Sequence, residues 1–488
     1  MKPSADLLVR EIKKRHPDAD TDLVVLAYDF AAKAHEGQQR ISGDPYIVHP
    51  FNAGMILAKM GMDDKIVAAA LLHDVPEESG VSIETLEKEF GKDIAFLVEG
   101  VTKTGKVKYR GVERYLENLR KMFIAMAVDL RVIIIRFADR IDNLRTLNVH
   151  EPDKAQRIAE ESLEIYAPIA NRLGMGDIKD TMEDLAFQYA LPEEFKWVSG
   201  LAIVKRSEQE RYLKKIEKRL EEEFKKEQLT SNEIAGRVKR LYSLYLKLLR
   251  YDRDINQIHD LVALRVIVPT VGDCYRALGI IHQLWPPLAG RIKDYIAQPK
   301  SNGYQSIHTT VFTEDGRAVE FQIRTPEMHQ QAEYGIAAHW YYDEAGKHSF
   351  KPTKKMDWVK ELGVWQKEIE ANQRKLQDLK VDVLKDRIFV FTPKGDVVDL
   401  PVDSTPVDFA YAIHSDIGDK CSRAYVNDTI VNLDHRLNSG DIVEVLIDKN
   451  RKGPSPDWLK FVQSSHAKAR IRASTRASGQ SFLSKFIK

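Results

Sequence analysis

Through residues 1 to about 195, apolar positions recur three and four residues apart. LVVLAYDFAAKAH, AGMILAKMG and KIVAAALLHD are such stretches, with few alternating β-branched positions. They predict a mostly helical domain. Residues 205–227, KRSEQERYLKKIEKRLEEEFKKE, are so charged that they read as a solvated connecting helix held by i,i+4 ion pairs. From about residue 255 the period changes. LVALRVIV and VEFQIRT read as strands, with DCYRALGIIHQLW as a helix between them. Residues 351–385 are polar and Lys-rich and predict a helical linker. DRIFVFTPKGDVVDLP then reads as two strands joined by a Pro-Lys-Gly-Asp turn. A helix follows in STPVDFAYAIHSDI, capped by Ser404 or Thr405, and the short strands RAYVND and DIVEVLI close the unit. The expected organisation is a multidomain α and α+β chain. It has helices over 1–195, a mixed α/β domain over 196–350, a linker over 351–385, a β-grasp-like module over 386–449 and a basic tail over 450–488. No internal repeat is visible.

Composition refines this only slightly. A length of 488 residues suits about three domains. Hydrophobic residues are 43% and charged residues 30%, enough apolar material for several cores. The net charge of +1 excludes a global basic field, so nucleic-acid contact would need a local patch. Cys274 and Cys421 are far apart and indicate no disulfide framework, which fits a reducing cytoplasm. The start, MKPSADLLVREIKKRH, has no apolar signal core, and no apolar run is long enough for a bilayer, so no membrane partner is expected.

Candidate chemistry concentrates first in the helical part. His49, the dipeptide His73-Asp74 and Asp139 offer two imidazoles and two carboxylates. That mixed set suits a borderline divalent metal with open positions better than a closed structural zinc. Such a site binds phosphate and activates water. Pro76 disfavours helix at Val75, so the apolar helix should stop near Asp74. Glu77 and Glu78 then fall on the following turn, where a carboxylate orients or deprotonates water. In RFADRIDNLRTL, Asp139, Asn143 and Thr146 share one helical face, with Asp139 as ligand and the other two toward substrate. RISGDPYIVHP places Arg40 and His49 around a turn. A single buried histidine is usually just hydrogen-bonded and a helical aspartate usually exposed; the whole set with its His-Asp dipeptide outweighs that plainer explanation. Gly100 to Val107 nearly matches a phosphate-binding P-loop, but it lacks the terminal Ser/Thr and follows helical sequence, so it is rejected. It reads as a basic loop whose Lys103 or Lys106 can touch phosphate.

A second constellation lies in the mixed domain. In VEFQIRT, Val319, Phe321 and Ile323 face a core while Glu320, Gln322 and Arg324 share the other face. Asp260 begins a neighbouring predicted strand, so two carboxylates can meet there, hold Mg²⁺ and activate a hydroxyl. GRVKRLYSLYLKL supplies Arg237, Lys239 and Lys247, and GRIKDYIAQPKSNGYQSIH supplies Arg291, Lys293, Lys300 and His308. Polyphosphate neutralisation explains such clustering. An RNA surface explains it too, because Tyr242, Tyr245, Tyr295 and Tyr304 are interleaved. On the residues alone both explanations stand.

RISGDPYIVHP, LLHDVPEES and RFADRIDNLRTL resemble the HD-type hydrolase domain of the Rel (RelA/SpoT-type) alarmone synthetase–hydrolases. The resemblance implies Mn²⁺ held by His49, His73, Asp74 and Asp139, water activation by Glu77 and Glu78, and Arg40, Asn143 and Thr146 around the nucleotide. The implied reaction removes pyrophosphate from the 3′ position of (p)ppGpp. Two positions depart from the family pattern: Glu78 stands where Asp is common, and Asp142 where His is common. RIKDYIAQPKSNGYQSIHTTV is the most specific stretch and resembles the family's pyrophosphokinase domain, a nucleotidyltransferase-like fold. It implies transfer of pyrophosphate from ATP to the 3′-hydroxyl of GDP or GTP. By that resemblance Asp260 and Glu320 hold Mg²⁺ and assist catalysis, and Tyr304 stacks on guanine with Asn302 and His308 nearby. Arg237, Lys239 and Lys247 address the donor phosphates. Arg265, Lys293, Lys300, Gln305, Gln322 and Arg324 complete the implied nucleotide site. Arg291-Ile292-Lys293-Asp294 matches the family's bifunctional signature.

Residues 386–449 resemble a TGS domain of β-grasp fold, which implies regulation and, in ribosome-bound members, contact with uncharged tRNA. His414 in AIHSDIG is the candidate tRNA contact, with a plain helix-terminal surface histidine as the equal alternative. GPSPDWLKFVQSSHAKARIRAS resembles the start of the family's helical regulatory region, as expected of a chain shortened after its TGS domain. The expectation is a cytoplasmic bifunctional (p)ppGpp enzyme. The rival is a ribosome- or tRNA-binding stress sensor whose hydrolase domain is weak or inactive. A general HD phosphohydrolase leaves residues 237–324 unexplained.

Overall fold

The apolar segments of the first 195 residues fold as helices in the computed structural model of the chain. The structure describes residues 2–14, 16–17, 19–105, 129–238, 240–255, 262–300, 302–338, 387–393, 397–438, 440–448, 450–451, 453–464 and 466–474. Helices α1 (Ala5–Lys13), α2 (Asp22–Ala34), α3 (Val48–Met60), α4 (Asp64–Leu72), α5 (Val75–Glu78), α6 (Ile83–Phe90) and α7 (Lys92–Gly105) come first. After them come α8 (Leu130–Arg145), α9 (Pro152–Glu161), a π-helical turn at Ser162–Tyr166, α10 (Ala167–Arg172) and α11 (Gly176–Ala190). In α4 every residue from Ile66 to Leu72 is buried, as a helix apolar on all sides must be. Asp63 caps it by accepting from the Ile66 amide at 2.7 Å. Helix α4 ends at Leu72, just before His73-Asp74, as expected, but Val75 is helical and opens α5; Pro76 interrupts the helix by lacking the N–H that would bond the Leu72 carbonyl. Helices α3, α4 and α8 pack against one another and carry the metal-type side chains.

The charged segment is not a solvated connector. It belongs to α12 (Pro192–Lys226), whose Tyr212, Leu213, Ile216, Leu220 and Phe224 are buried in the core of the mixed domain. These apolar residues sit three to four apart inside a charged sequence, a stripe that composition conceals. The sheet they cover has the order β1-β2-β5-β4-β3, from β1 (Glu233–Val238), β2 (Val262–Ile267), β3 (Lys293–Asp294), β4 (Ile307–Phe312) and β5 (Ala318–Arg324). Strands β2 and β5 are parallel and the other pairs antiparallel. Helix α13 (Leu241–Arg250) follows β1, α14 (Val271–Leu284) follows β2, and α15 (Pro326–Tyr334) follows β5. Val319, Phe321 and Ile323 are fully buried, as the alternation predicts, with Trp285 stacked on Phe321 at 5.7 Å.

The helical part and the mixed sheet form one compact unit, Met1–Gln366, and Lys367–Lys488 form a second. Within the first, α11 packs against α13 and α15, and the Ile336 amide donates to the Leu173 carbonyl at 2.9 Å. The second contains β6 (Arg387–Phe391) paired with β7 (Val397–Pro401), then α16 (Pro406–Ile413) and α17 (Ser415–Asp419). A three-stranded sheet follows, with β8 (Cys421–Val426) between β9 (Thr429–Val431) and β10 (Val443–Ile447). Asp408 accepts from the Thr405 amide at 2.9 Å, so Thr405 begins α16 as anticipated. Asp408 also accepts from the Gln463 and Ser464 amides, while Trp458, Val462, Ala467 and Ile471 pack on Tyr411 and Ala410. The first part of the basic tail is therefore built into this unit. The predicted linker over 351–385 lies outside the described residues, among which no helix is long and apolar enough to cross a membrane.

Candidate metal centre and nucleotide cleft

His73 follows the last turn of α4 and donates Nδ1–H to the Ala70 carbonyl at 2.7 Å. That bond turns Nε2 away from the helix, 3.1 Å from Asp74 Oδ1 and 4.0 Å from Asp139 Oδ1. His49, in the first turn of α3, points Nε2 at the same spot, 3.3 Å from Asp139 Oδ1 and 3.6 Å from Asp74 Oδ2. His49, His73 and Asp74 offer ligand atoms all within 4.8 Å of one another. His73 Nε2 is buried without a hydrogen-bond partner. A buried polar atom in that state is costly unless something binds it. A divalent cation fits, with two imidazole nitrogens and carboxylate oxygens around it.

Charge is tightly organised here. Burial disfavours protonation of His49, but hydrogen bonds to Asp139 and Asp142 prevail and raise its pKa to about 9. Burial would raise the Asp139 pKa, yet Arg136, His49 and His73 hold it well below the usual carboxylate range. Metal binding must displace the proton from His49. Arg136 Nη1 donates to Asp139 Oδ2 at 2.8 Å, and the Tyr46 hydroxyl donates to Asp74 Oδ2 at 3.1 Å.

Arg40 donates to Asp142 and Asn143, each at 3.0 Å, and Asn143 donates to Asp139 Oδ1 at 2.5 Å. Arg40 and Asn143 thus reach the centre, whereas the Thr146 hydroxyl is engaged by the Asp142 and Asn143 carbonyls of its own helix end. Glu77 and Glu78 are exposed on α5, immediately after Asp74. Sequence reasoning missed Tyr46, Asn52 and Arg136, and saw Asp142 only as a departure. The available signal was spacing: Asn52 is three residues beyond His49, and Arg136 and Asp142 flank Asp139 by three, all within one helical face. Gly100–Gly105 lie in α7, so this stretch is helix and not the expected basic loop, and it forms no P-loop; the Lys103 side chain and Lys106 lie outside the described residues.

On the mixed sheet, Glu320 of β5 lies opposite Thr310 of β4, and Gln322 opposite His308. A cleft of about 200 Å³ opens there. Its walls carry Lys247, Arg291, Lys293, Lys300, Tyr295, His308 and Glu320, with Tyr251, Leu288 and Thr310 not foreseen from sequence. His308 Nδ1 lies 3.2 Å from Glu320 Oε1, and the Tyr304 hydroxyl lies 2.8 Å from His308 Nε2. With Nδ1–H donating to the carboxylate, Nε2 accepts from the tyrosine. Burial lowers the His308 pKa against the pull of Glu320, so this neutral tautomer persists at neutral pH. Gln322 Nε2 also donates to Glu320, at 2.8 Å. The Lys300 ammonium lies 4.6 Å from the Tyr295 ring centre and 4.9 Å from that of Tyr304.

Other expected residues are engaged elsewhere. Asn302 holds its own loop, accepting from the Tyr304 amide at 3.1 Å and donating to the Asn171 carbonyl. Gln305 donates to the Ile296 carbonyl at 3.3 Å. Arg265 pairs with Glu233 at 2.7 Å. Arg324 is buried and bonded at 3.0 Å to Glu333 of α15, a carboxylate that also lies 3.8 Å from Arg265, so it is engaged there and not in the cleft. Arg237 is in β1 opposite Ala263, with its side chain outside the description, as are Asp260 and Lys239 entirely. His414 is exposed, and its Nδ1 accepts from the Asp416 amide at 3.2 Å, capping α17.

Three family models match the chain: an HD domain over residues 27–176, the region found in RelA / SpoT proteins over 236–347, and a TGS domain over 388–447. A GTP pyrophosphokinase of Myxococcus xanthus is 45% identical over 94% of this chain and 61% of its own. A probable guanosine-3′,5′-bis(diphosphate) 3′-pyrophosphohydrolase of Synechocystis is 44% identical over 92% of this chain and 60% of its own. A bifunctional (p)ppGpp synthase/hydrolase of Mycobacterium tuberculosis is 43% identical over 96% of this chain and 64% of its own. The chain thus spans about three fifths of the length of these relatives.

Proposed function

The chain belongs to the RelA/SpoT-type family, and from that premise we propose that it both makes and hydrolyses (p)ppGpp in the cytoplasm. The observation that carries the hydrolase half is the convergence of His49, His73, Asp74 and Asp139 around the unpartnered His73 Nε2. These four side chains would hold a divalent cation, Mn²⁺ in this proposal. Such a cation, when bound, supplies Lewis-acid polarisation of phosphoryl and water oxygens. The chain's own groups do the rest. Arg40 and Asn143 present hydrogen-bonding groups beside the ligands for the nucleotide. Glu77 or Glu78 takes the proton of the attacking water. The water oxygen bonds to phosphorus, the 3′ oxygen–phosphorus bond breaks, the proton taken by the glutamate passes to the 3′ oxygen, and GDP or GTP and pyrophosphate are released.

In the second site, Glu320 removes the proton from the 3′-hydroxyl of GDP or GTP. That oxygen bonds to the β-phosphorus of ATP, and AMP departs. His308 holds the Glu320 carboxylate, and Tyr304 holds His308 in the required tautomer. Asp260 and Glu320 would hold Mg²⁺. The cations of the cleft neutralise the polyphosphates, Tyr304 stacks on guanine, and Arg237, Lys239 and Lys247 address ATP. The buried free thiols of Cys274 and Cys421 agree with a reducing compartment. His414 is the proposed contact for uncharged tRNA on the ribosome. The test is direct. Purified chain with ATP, GDP and Mg²⁺ is assayed for ppGpp, and with ppGpp and Mn²⁺ for GDP and pyrophosphate. Both products are expected. Synthesis alone would instead favour a stress sensor with a regulatory hydrolase domain.

A further inference from the structure

Asp142 is not among the proposed metal ligands, yet three side chains converge on its carboxylate beside the metal centre. Its side chain is 2% exposed. Oδ2 lies 2.7 Å from His49 Nδ1 and 3.0 Å from Arg40 Nη1, and Oδ1 accepts from Asn52 Nδ2 at 2.8 Å. Helix α8 puts Asp142 and Asp139 three residues apart on one face, so the two carboxylates grip opposite nitrogens of the same imidazole. Asp139 lies at Nε2, the ligand side, and Asp142 at Nδ1, the outer side.

We infer that Asp142 is a positioning residue for the metal centre, a carboxylate partner that fixes His49 with Nδ1 protonated and Nε2 directed at the cation. The inference rests on the metal-centre proposal above. The physical case is one of tautomer and strength. A neutral imidazole carries one N–H, and a buried carboxylate at Nδ1 captures it, leaving the Nε2 lone pair for a ligand. A carboxylate partner also makes the imidazole a stronger donor than a backbone carbonyl does. His73 has only such a carbonyl, that of Ala70. The two histidines are therefore unequal ligands, and His49 is the stronger. Arg40 and Asn52 hold the carboxylate in place, so its orientation does not depend on His49 alone. Because Arg40 also bonds Asn143, and Asn143 bonds Asp139, the two sides of the centre are joined through one guanidinium.

The test is a double-mutant cycle read by Mn²⁺ affinity, measured by calorimetry on the full chain without substrate. Asp142→Asn keeps the shape and removes the charge. It should weaken Mn²⁺ binding about 10–100-fold, the usual cost of losing an outer-shell partner. In a His49→Ala background the same change should cost nothing further, because the residue acts through His49. Unchanged affinity on Asp142→Asn overturns the inference while leaving the metal centre intact. Equal losses in both backgrounds overturn it as well, since they reveal a general charge effect. Failure of the wild-type chain to bind Mn²⁺ overturns the metal centre itself and the inference with it. A second measurement needs no variant. Nitrogen resonances of ¹⁵N-histidine-labelled wild type loaded with Zn²⁺ should give His49 as the Nδ1–H tautomer bound through Nε2. Binding through Nδ1 would refute the assignment.

Discussion

The side-chain amide of Asn302 donates to the backbone carbonyl of Asn171 at 3.0 Å, tying the loop that precedes Tyr304 to the end of α10. The contact is one of several at this seam. Gly174 has φ of +76°, and a Cβ there would stand 2.8 Å from the Asn302 carbonyl oxygen. Gly335 has φ of +56°, and a Cβ there would overlap the Leu173 carbonyl oxygen. Two backbones meet here at a distance only glycine allows. The loop that precedes Tyr304 is thereby built partly on the helical half that carries the candidate metal centre.

Gly335→Ala should expose that dependence. The change adds a steric clash with backbone to an unfavourable φ, and a loss of more than about 2 kcal/mol in stability is expected. Gly316 is the control. Its φ is +70° but nothing lies within 4 Å of its added Cβ, so Gly316→Ala should cost only about 1 kcal/mol. Thermal melts of the two variants check this. Equal losses would mean that the seam yields at no cost and does not constrain the loop.

Removal of one proposed metal ligand should separate the two proposed activities. Asp74→Ala deletes a carboxylate whose oxygens lie 3.1 Å from His73 Nε2 and 3.6 Å from His49 Nε2. Hydrolysis of ppGpp should be abolished and Mn²⁺ binding weakened. Synthesis should continue, because Glu320 and its cleft are on another set of elements. Wild-type hydrolysis with normal metal binding in this variant would remove Asp74 from the ligand set.

The side chains of the candidate metal centre could be picked out because they lie in local patterns. His73-Asp74 sits at a helix end that Pro76 marks, and Asp139 and Asn143 repeat at helical spacing. The partner of His49 was not legible, because Asp142 lies 93 residues away and only the packing of α8 on α3 brings them together. Alternation read Val319, Phe321 and Ile323 correctly but did not reveal that Arg324 is buried and paired with Glu333, since period-two reasoning does not see the helix that closes over a strand end. The core face of α12 was hidden by charge: five buried residues lie within a run that reads as solvated by composition alone. Strand β4 went unassigned because its threonines Thr309 and Thr310, although buried, look like loop residues beside the polar Gln305-Ser306.

Glu77→Gln should slow hydrolysis without ejecting metal. The side chain follows His73-Asp74 on α5 and is not among the proposed ligands. A general base contributes on the order of 10²–10⁴-fold, so a loss of that size in turnover is expected, with Mn²⁺ affinity unchanged. A loss below about threefold would place Glu77 outside the proton transfer. Glu78→Asp supplies the shorter side chain that the family resemblance leads one to expect here. A rate equal to or above that of the parent chain is the expected result, and a clear loss would show that Glu78 itself has a fitted role.

The synthetase site should distinguish chemistry from binding through two residues joined by one histidine. Glu320 meets His308 Nδ1 at 3.2 Å, and Tyr304 meets His308 Nε2 at 2.8 Å. In the proposed reaction Glu320 acts on the acceptor hydroxyl in the transition state, so Glu320→Gln should depress the turnover number with little change in GDP affinity. Tyr304 offers an aromatic face, so Tyr304→Ala should weaken GDP binding by about 1–3 kcal/mol. ATP binding should survive both changes, because the donor phosphates are assigned to Arg237, Lys239 and Lys247. Tyr304→Phe separates stacking from the hydrogen bond to His308. It should keep GDP affinity while lowering turnover, since His308 then loses the donor that fixes its tautomer. Equilibrium binding of GDP and of an ATP analogue, beside single-turnover rates, reads all three variants. Loss of ATP binding with GDP binding retained in Tyr304→Ala would exchange the two pockets. Wild-type synthesis in both Glu320→Gln and Tyr304→Ala would move the reaction elsewhere and return the basic and aromatic residues of the cleft to an RNA surface.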